Sequence, residues 1–76
     1  MQKWEYLFVV CEYQNDDWRP KYMNGQELRD WKRGPSVSDF SNQIGADGWE
    51  LVNLMTGVNQ FGETKSYRLV FKRQRP

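Results

Sequence analysis

The chain contains no histidine and a single cysteine, Cys11. The side chain that most often serves as general base near neutral pH is therefore missing. Cys11 alternates with Leu7, Val9 and Tyr13 in a strand-like run, with no histidine to activate it. That pattern predicts an inert thiol in the core, since a buried unpaired thiol does not react. Asp47 and Glu50 flank Gly48-Trp49 and are the nearest approach to a carboxylate pair. Acid catalysis needs a raised pKa, and polarity at a helix end and a strand surface explains both residues more simply. One thiol without histidine cannot build a structural zinc site. The other carboxylates lack the spacing of a calcium loop. The Gly45-Ala46-Asp47-Gly48 turn falls at the C-terminal end of a predicted helix, the wrong end for an anion. The expectation is a non-enzymatic chain with no catalytic residue, metal or cofactor.

Binding chemistry is better represented. Trp4, Tyr6 and Phe8 fall on one face of the first strand pattern. Residues 65–76 hold five basic side chains (Lys65, Arg68, Lys72, Arg73 and Arg75) and no acid, within a net charge of +1. Aromatic residues on a sheet beside basic ones are how single-stranded nucleic acid is held. Arg68, Lys72, Arg73 and Arg75 are the candidate basic patch. Against that alternative stand the near-neutral total charge and the lack of any Arg-Gly or RNP-like pattern. Lys and Arg also guard edge strands against pairing, which is the plainer account of the basic end. For the aromatic face the favoured reading is burial against another copy of the chain, because an exposed patch of that size is unusual on a soluble monomer. Trp18, Tyr22 and Trp31, with Arg19 and Arg29 nearby, form a second candidate surface. Their composition is that of a binding hot spot. They belong to a segment that is either a flap over the sheet or an exposed arm.

These residues need a scaffold, and 76 residues allow one domain, 1–76. A domain of that size buries only about 60% of its unfolded surface. Disulfides, metals or oligomerisation commonly support so small a core. The first two are unavailable here, so a homo-oligomer, a dimer or larger, is expected. Aromatic residues make up 16% of the chain, and their large buried area can enrich a small core.

Residues 3–13 read as a strand with two apolar faces, Leu7, Val9, Cys11 and Tyr13 against Trp4, Tyr6, Phe8 and Val10. A strand of that kind is covered on both sides. Asn15-Asp16-Asp17 reads as a turn. Asn24-Gly25 is a strong hairpin signal, joining 18–23 to 26–31, and is favoured over a helix from Gln26 to Lys32, whose Glu, Leu, Arg and Lys are good helix formers. Its register sets Met23 opposite Gln26, Tyr22 opposite Glu27, Arg19 opposite Asp30 and Trp18 opposite Trp31. Pro20 cannot donate to a ladder, so its strand is an edge or irregular. Ser36 reads as an N-cap with Asp39 three residues on. Val37, Phe40 and Ile44 then form the apolar stripe of a short helix. Gly48 suits the left-handed residue that ends it, and Gly45 suggests close approach of the helix to a strand or an indole. Residues 49–56 read as a central strand, with Trp49, Leu51 and Met55 on one face and Val52 and Leu54 on the other. Residues 58–63 read as a loop. Residues 64–73 alternate with Tyr67, Leu69 and Phe71 inward and Ser66, Arg68 and Lys72 outward.

The Trp4-Glu5-Tyr6 strand, the Gly45-Ala46-Asp47-Gly48-Trp49-Glu50-Leu51-Val52 block and the Leu69–Arg73 strand resemble the small bacterial family called domain of unknown function 4177. The resemblance spans nearly the whole chain and implies a strand–helix–strand–strand core. It brings no catalytic or binding residue with it. The expected fold is α+β: a mainly antiparallel sheet of about four strands with one helix on one face. The expected order is strand, hairpin, helix, strand, strand. No apolar run approaches membrane-spanning length, and Met1-Gln2-Lys3-Trp4 leads straight into a strand pattern without an export signal. With one free thiol, that sets the expectation of a cytoplasmic chain away from membranes.

Overall fold

The computed structural model describes residues 1–76. It has five strands and one α-helix: β1 (Trp4–Gln14), β2 (Asp17–Met23), β3 (Gln26–Glu27), α1 (Val37–Ala46), β4 (Glu50–Val58) and β5 (Thr64–Gln74). A single turn of 3₁₀ helix, Trp31–Arg33, precedes α1. The strands form one antiparallel sheet in the order β3-β2-β1-β5-β4. The α+β class holds. The sheet has five strands rather than about four, and no helix is long and apolar enough to cross a membrane.

Two tight turns set the first half. Asn15 and Asp16 both take positive φ (54° and 64°), as do Asn24 and Gly25 (50° and 83°). Two consecutive left-handed residues match the right-handed twist of the flanking strands. The Asn24 turn sets Met23 opposite Gln26 and Tyr22 opposite Glu27, as expected. Pairing then stops. Asp30 turns left-handed (φ 56°) and the chain leaves the sheet as the 3₁₀ turn. The expected Arg19–Asp30 and Trp18–Trp31 pairs therefore do not form. Trp31 instead buries itself, and Trp18 pairs with Tyr13 across β1 and β2. The irregularity expected at Pro20 is present, a bulge between the Val10–Tyr22 and Cys11–Pro20 pairs.

Arg19 holds the 3₁₀ segment against the first hairpin. Its guanidinium donates to the carbonyls of Gln14 (2.9 Å), Asn15 (3.1 Å) and Gly34 (2.6 Å). Asn15 adds a bond from Nδ2 to the Lys32 carbonyl at 2.7 Å. A planar fork with five donors suits such a junction better than a lysine would.

Helix α1 starts and stops where its sequence directs. The Ser36 Oγ accepts from the Asp39 N–H at 3.1 Å, and Asp39 sits in the first turn, where negative charge is favoured. At the other end the Trp49 N–H donates to the Ile44 carbonyl and the Gly48 N–H to the Gly45 carbonyl. These two bonds are a Schellman motif, with Gly48 at φ 93°. Gly45 does not fill the role expected of it. A Cβ built there would meet nothing within 4 Å, so no strand or indole presses on it.

The stripe of α1 docks on one sheet face only. Phe40 joins Leu7, Val9, Cys11, Leu69 and Phe71 in the core, with Met23, Val37, Ile44, Trp49 and Tyr67 at its margin. Each fully buried large apolar side chain is worth about 1.5–3 kcal/mol. Only 8 of 76 residues are buried, so the total is small.

Two strand placements differ from expectation. β4 has two apolar faces and read as central, yet it is an outer edge. β5, whose basic residues suggested an edge, runs between β1 and β4. Length favours this: β1 and β5 have eleven residues each and pair at eight positions, from Trp4–Gln74 to Cys11–Tyr67. A bulge between Leu51 and Asn53 also changes the faces of β4. Leu51 and Leu54 lie opposite Phe71 and Leu69 on the helix side, whereas Met55 lies opposite Arg68 on the other.

Candidate interaction surface

The sheet face away from α1 is open. Register places Trp4, Tyr6, Phe8 and Val10 of β1 on it, beside Arg68, Val70 and Lys72 of β5, Met55 of β4 and Tyr22 of β2. Trp4, Tyr6 and Phe8 are 40%, 48% and 56% exposed. The expected cover for the second face of β1 is thus not supplied by this chain. The hairpin extends the sheet sideways through β2 and β3 instead of folding over it as a flap.

The aromatic candidates divide between the two sides. Trp4, Tyr6, Phe8 and Tyr22 share the open face. Trp18 lies on the helix side, edge-on to Tyr13 (5.4 Å) and Tyr67 (4.5 Å). Trp31 is buried beside a small hollow lined by Pro20, Met23, Leu28, Arg29 and Phe40. Trp31 is therefore part of the fold and not a free arm.

The basic candidates divide as well. Arg68 and Lys72 reach the open face, where the Lys72 ammonium lies 4.5 Å from the centre of the Trp4 ring. Arg73 points to the helix side. It pairs with Glu5, stacks over Trp49 at 4.4 Å and donates to the Asp47 carbonyl at 3.2 Å. Arg75 lies just past β5, and its backbone N–H donates to the Lys3 carbonyl at 2.8 Å. The four do not form one patch. Sequence reasoning missed the role of Arg73, because it depends on β1, β5 and the α1–β4 turn meeting at one end of the sheet.

Cys11 lies in the core with 0% exposure, and burial pushes its thiol up to about 12. Asp47 caps α1 and Glu50 opens β4 opposite Lys72. No group of three or more Cys, Asp or Glu side chains is placed to hold a metal ion.

Comparison with protein families matches the chain to the model described as Domain of unknown function (DUF4177) over residues 4–74. The chain belongs to this family. Comparisons with curated proteins and with solved structures find no match. The matched span of this DUF4177 domain includes the Gly45–Val52 block. That block here forms the helix stop, the Trp49–Arg73 stack and the start of β4. Each of its residues with an assigned contact serves the fold.

Proposed function

We propose that this DUF4177 domain is a non-enzymatic, self-associating module that mediates protein assembly through the open face of its sheet. The observation that carries this reading is the continuous exposed row Trp4, Tyr6 and Phe8 on the central strand β1. Soluble monomers rarely leave an apolar face of this extent uncovered. The total surface argues the same way. A 9.2 kDa monomer should expose about 4,900 Å², whereas this chain exposes 5686 Å². The surplus, about 800 Å², matches what one partner contributes to a stable interface. A free thiol held in the core fits the cytoplasm as its setting.

Light scattering across a concentration series tests the proposal. The expected result is a mass of two copies or more, lowered by Phe8→Lys, which sets like charges against each other across a symmetric contact. Phe8 is more than half exposed, so the fold should survive the change. A strict monomer at the highest soluble concentration would refute the reading.

A second reading has one observation in its favour: Lys72 over Trp4, with Arg68 on the same face as Tyr6 and Phe8. Aromatic platforms flanked by cations hold single-stranded nucleic acid. Oligonucleotide should then quench tryptophan fluorescence at low salt and release it at high salt. Absence of quenching at low salt ends that alternative.

A further inference from the structure

We propose that the free edge of β4 is a pairing site for the β4 strand of a second copy of this chain. Self-association is shared with the preceding proposal, but the surface is a different one, and the two can fail separately.

β4 pairs with β5 along one side only and closes the sheet order. Along its nine residues the other side pairs with no strand, although the Leu54 N–H already donates to the Asn53 Oδ1 at 2.8 Å, a side-chain bond that an incoming strand has to displace. Proteins usually blunt such an edge with charge, proline, bulges or short length. Of these β4 has, beyond Glu50, only the bulge at Val52. No charged residue and no proline occurs from Leu51 to Gly62. The side chains are apolar on both faces and half exposed, with Leu51 at 47%, Val52 at 50%, Leu54 at 49% and Met55 at 47%. Helix α1 stops short of them: a groove remains between its Val37, Ser38, Ser41 and Asn42 and the leucines of β4. An edge that is long, apolar and uncharged is a template for another strand.

The occupant follows from self-complementarity. Two β4 strands running antiparallel about a two-fold axis normal to the sheet would continue it to ten strands. Such an axis keeps each face on its own side, so residues set opposite each other must share a face. Between the bulges at Leu51/Asn53 and Gly57/Val58, only Leu54 or Met55 can then lie on the axis near the middle of the strand. With Leu54 on the axis the two Leu54 side chains meet on the helix side, and with Met55 on it Leu54 meets the partner's Thr56; in either register the groove beside α1 becomes a trench shared by two helices. Charge does not oppose the contact: Glu50 is the one charged residue of β4, it lies opposite Lys72 of its own chain, and the two-fold axis sets the two Glu50 side chains at opposite ends of the seam.

Three variants test this by light scattering, with circular dichroism to confirm folding. Leu54→Lys places at the edge the residue that guards natural edges, and should halve the assembly mass. Phe8→Lys, which acts on the open face, should also halve it, and the double variant should be monomeric. If Leu54→Lys is folded and keeps the wild-type mass while Phe8→Lys lowers it, the edge proposal is overturned and the open-face reading stands. A monomeric wild type overturns both. A covalent readout covers the case where Leu54→Lys misfolds. Residues opposite each other in an antiparallel pair have Cα atoms about 4.5–5.5 Å apart, within disulfide reach. Leu54→Cys or Met55→Cys should therefore give a cross-linked dimer under mild oxidant, while Cys11 stays buried and free. If neither cross-links in the folded state, the pairing does not occur.

Discussion

Replacing Gly48 and Gly45 separately by alanine should move stability in opposite directions, although the two glycines lie three residues apart in one turn. Gly48 sits at φ 93°, a region that costs an L-residue about 1–2 kcal/mol. A Cβ there meets nothing within 4 Å, so the cost is the backbone term alone. Gly45 is helical with open space around it, and alanine is favoured over glycine in a helix by about 0.5–1 kcal/mol. Both changes stiffen the unfolded chain by the same amount, and that term cancels in the comparison. The variants should therefore differ by about 2 kcal/mol. For a domain of this size that is roughly 8–16 °C in Tm, with Gly45→Ala above wild type and Gly48→Ala below it. Thermal circular dichroism at one fixed protein concentration is the assay, because association makes Tm depend on concentration. Two variants of equal Tm would refute the Schellman assignment. A destabilising Gly45→Ala would show that another surface presses on the end of α1.

Two further predictions concern groups on the helix side of the sheet. Cys11 should resist alkylation at pH 8 in the folded state and react at once on unfolding, as burial at 0% exposure requires. Its raised pKa, from 9.0 to about 12, means that above pH 9 the unfolded chain loses a proton that the folded chain keeps. Stability contributed by the neutral thiol should thus fall as pH rises from 9 towards 12. Cys11→Ala should flatten that slope in denaturant titrations, and an unchanged slope would count against the assignment. Arg73→Lys should lower stability by about 1 kcal/mol despite keeping the charge, because an ammonium cannot match the fork that meets Glu5, Trp49 and the Asp47 carbonyl. A red shift of Trp49 emission should accompany it, and a variant indistinguishable from wild type would show the cluster to be incidental.

Much of the fold was legible locally. Ser36, Gly48 and the Asn24-Gly25 turn act through their own backbone and its near neighbours, so their roles can be read without the rest of the chain. The Val37, Phe40 and Ile44 stripe and the Leu7, Val9 and Cys11 face follow from periodicity, and both are in the core. What failed was the inference from apolar content to position. Residues 49–56 looked central because both faces are apolar, but Leu51, Val52, Leu54 and Met55 stay about half exposed. Residues 26–31 were extended too far, because burial of Trp31 outweighs four more rungs of a two-stranded ribbon. A single extra residue at Val52 exchanged the faces of Leu54 and Met55, and no periodicity argument anticipates a bulge.

The sequence by itself determined the elements apart from the end of the second hairpin, the turns that join them, the side chains that fill the core apart from Trp31, and a resemblance that the DUF4177 match over residues 4–74 bears out. It also placed Trp4, Tyr6 and Phe8 on one face and Cys11 on the other. Only the tertiary structure decided the order of the strands, the separation of Arg73 from Arg68 and Lys72, and which apolar surface the chain leaves bare. Turns and caps depend on a few adjacent dihedral angles, whereas exposure depends on what the remainder of the chain can reach. A ten-residue helix spans about 15 Å; a five-stranded sheet is about 19 Å across at 4.8 Å per step and has two faces. One face is partly covered and the other is left open, along with the β4 edge.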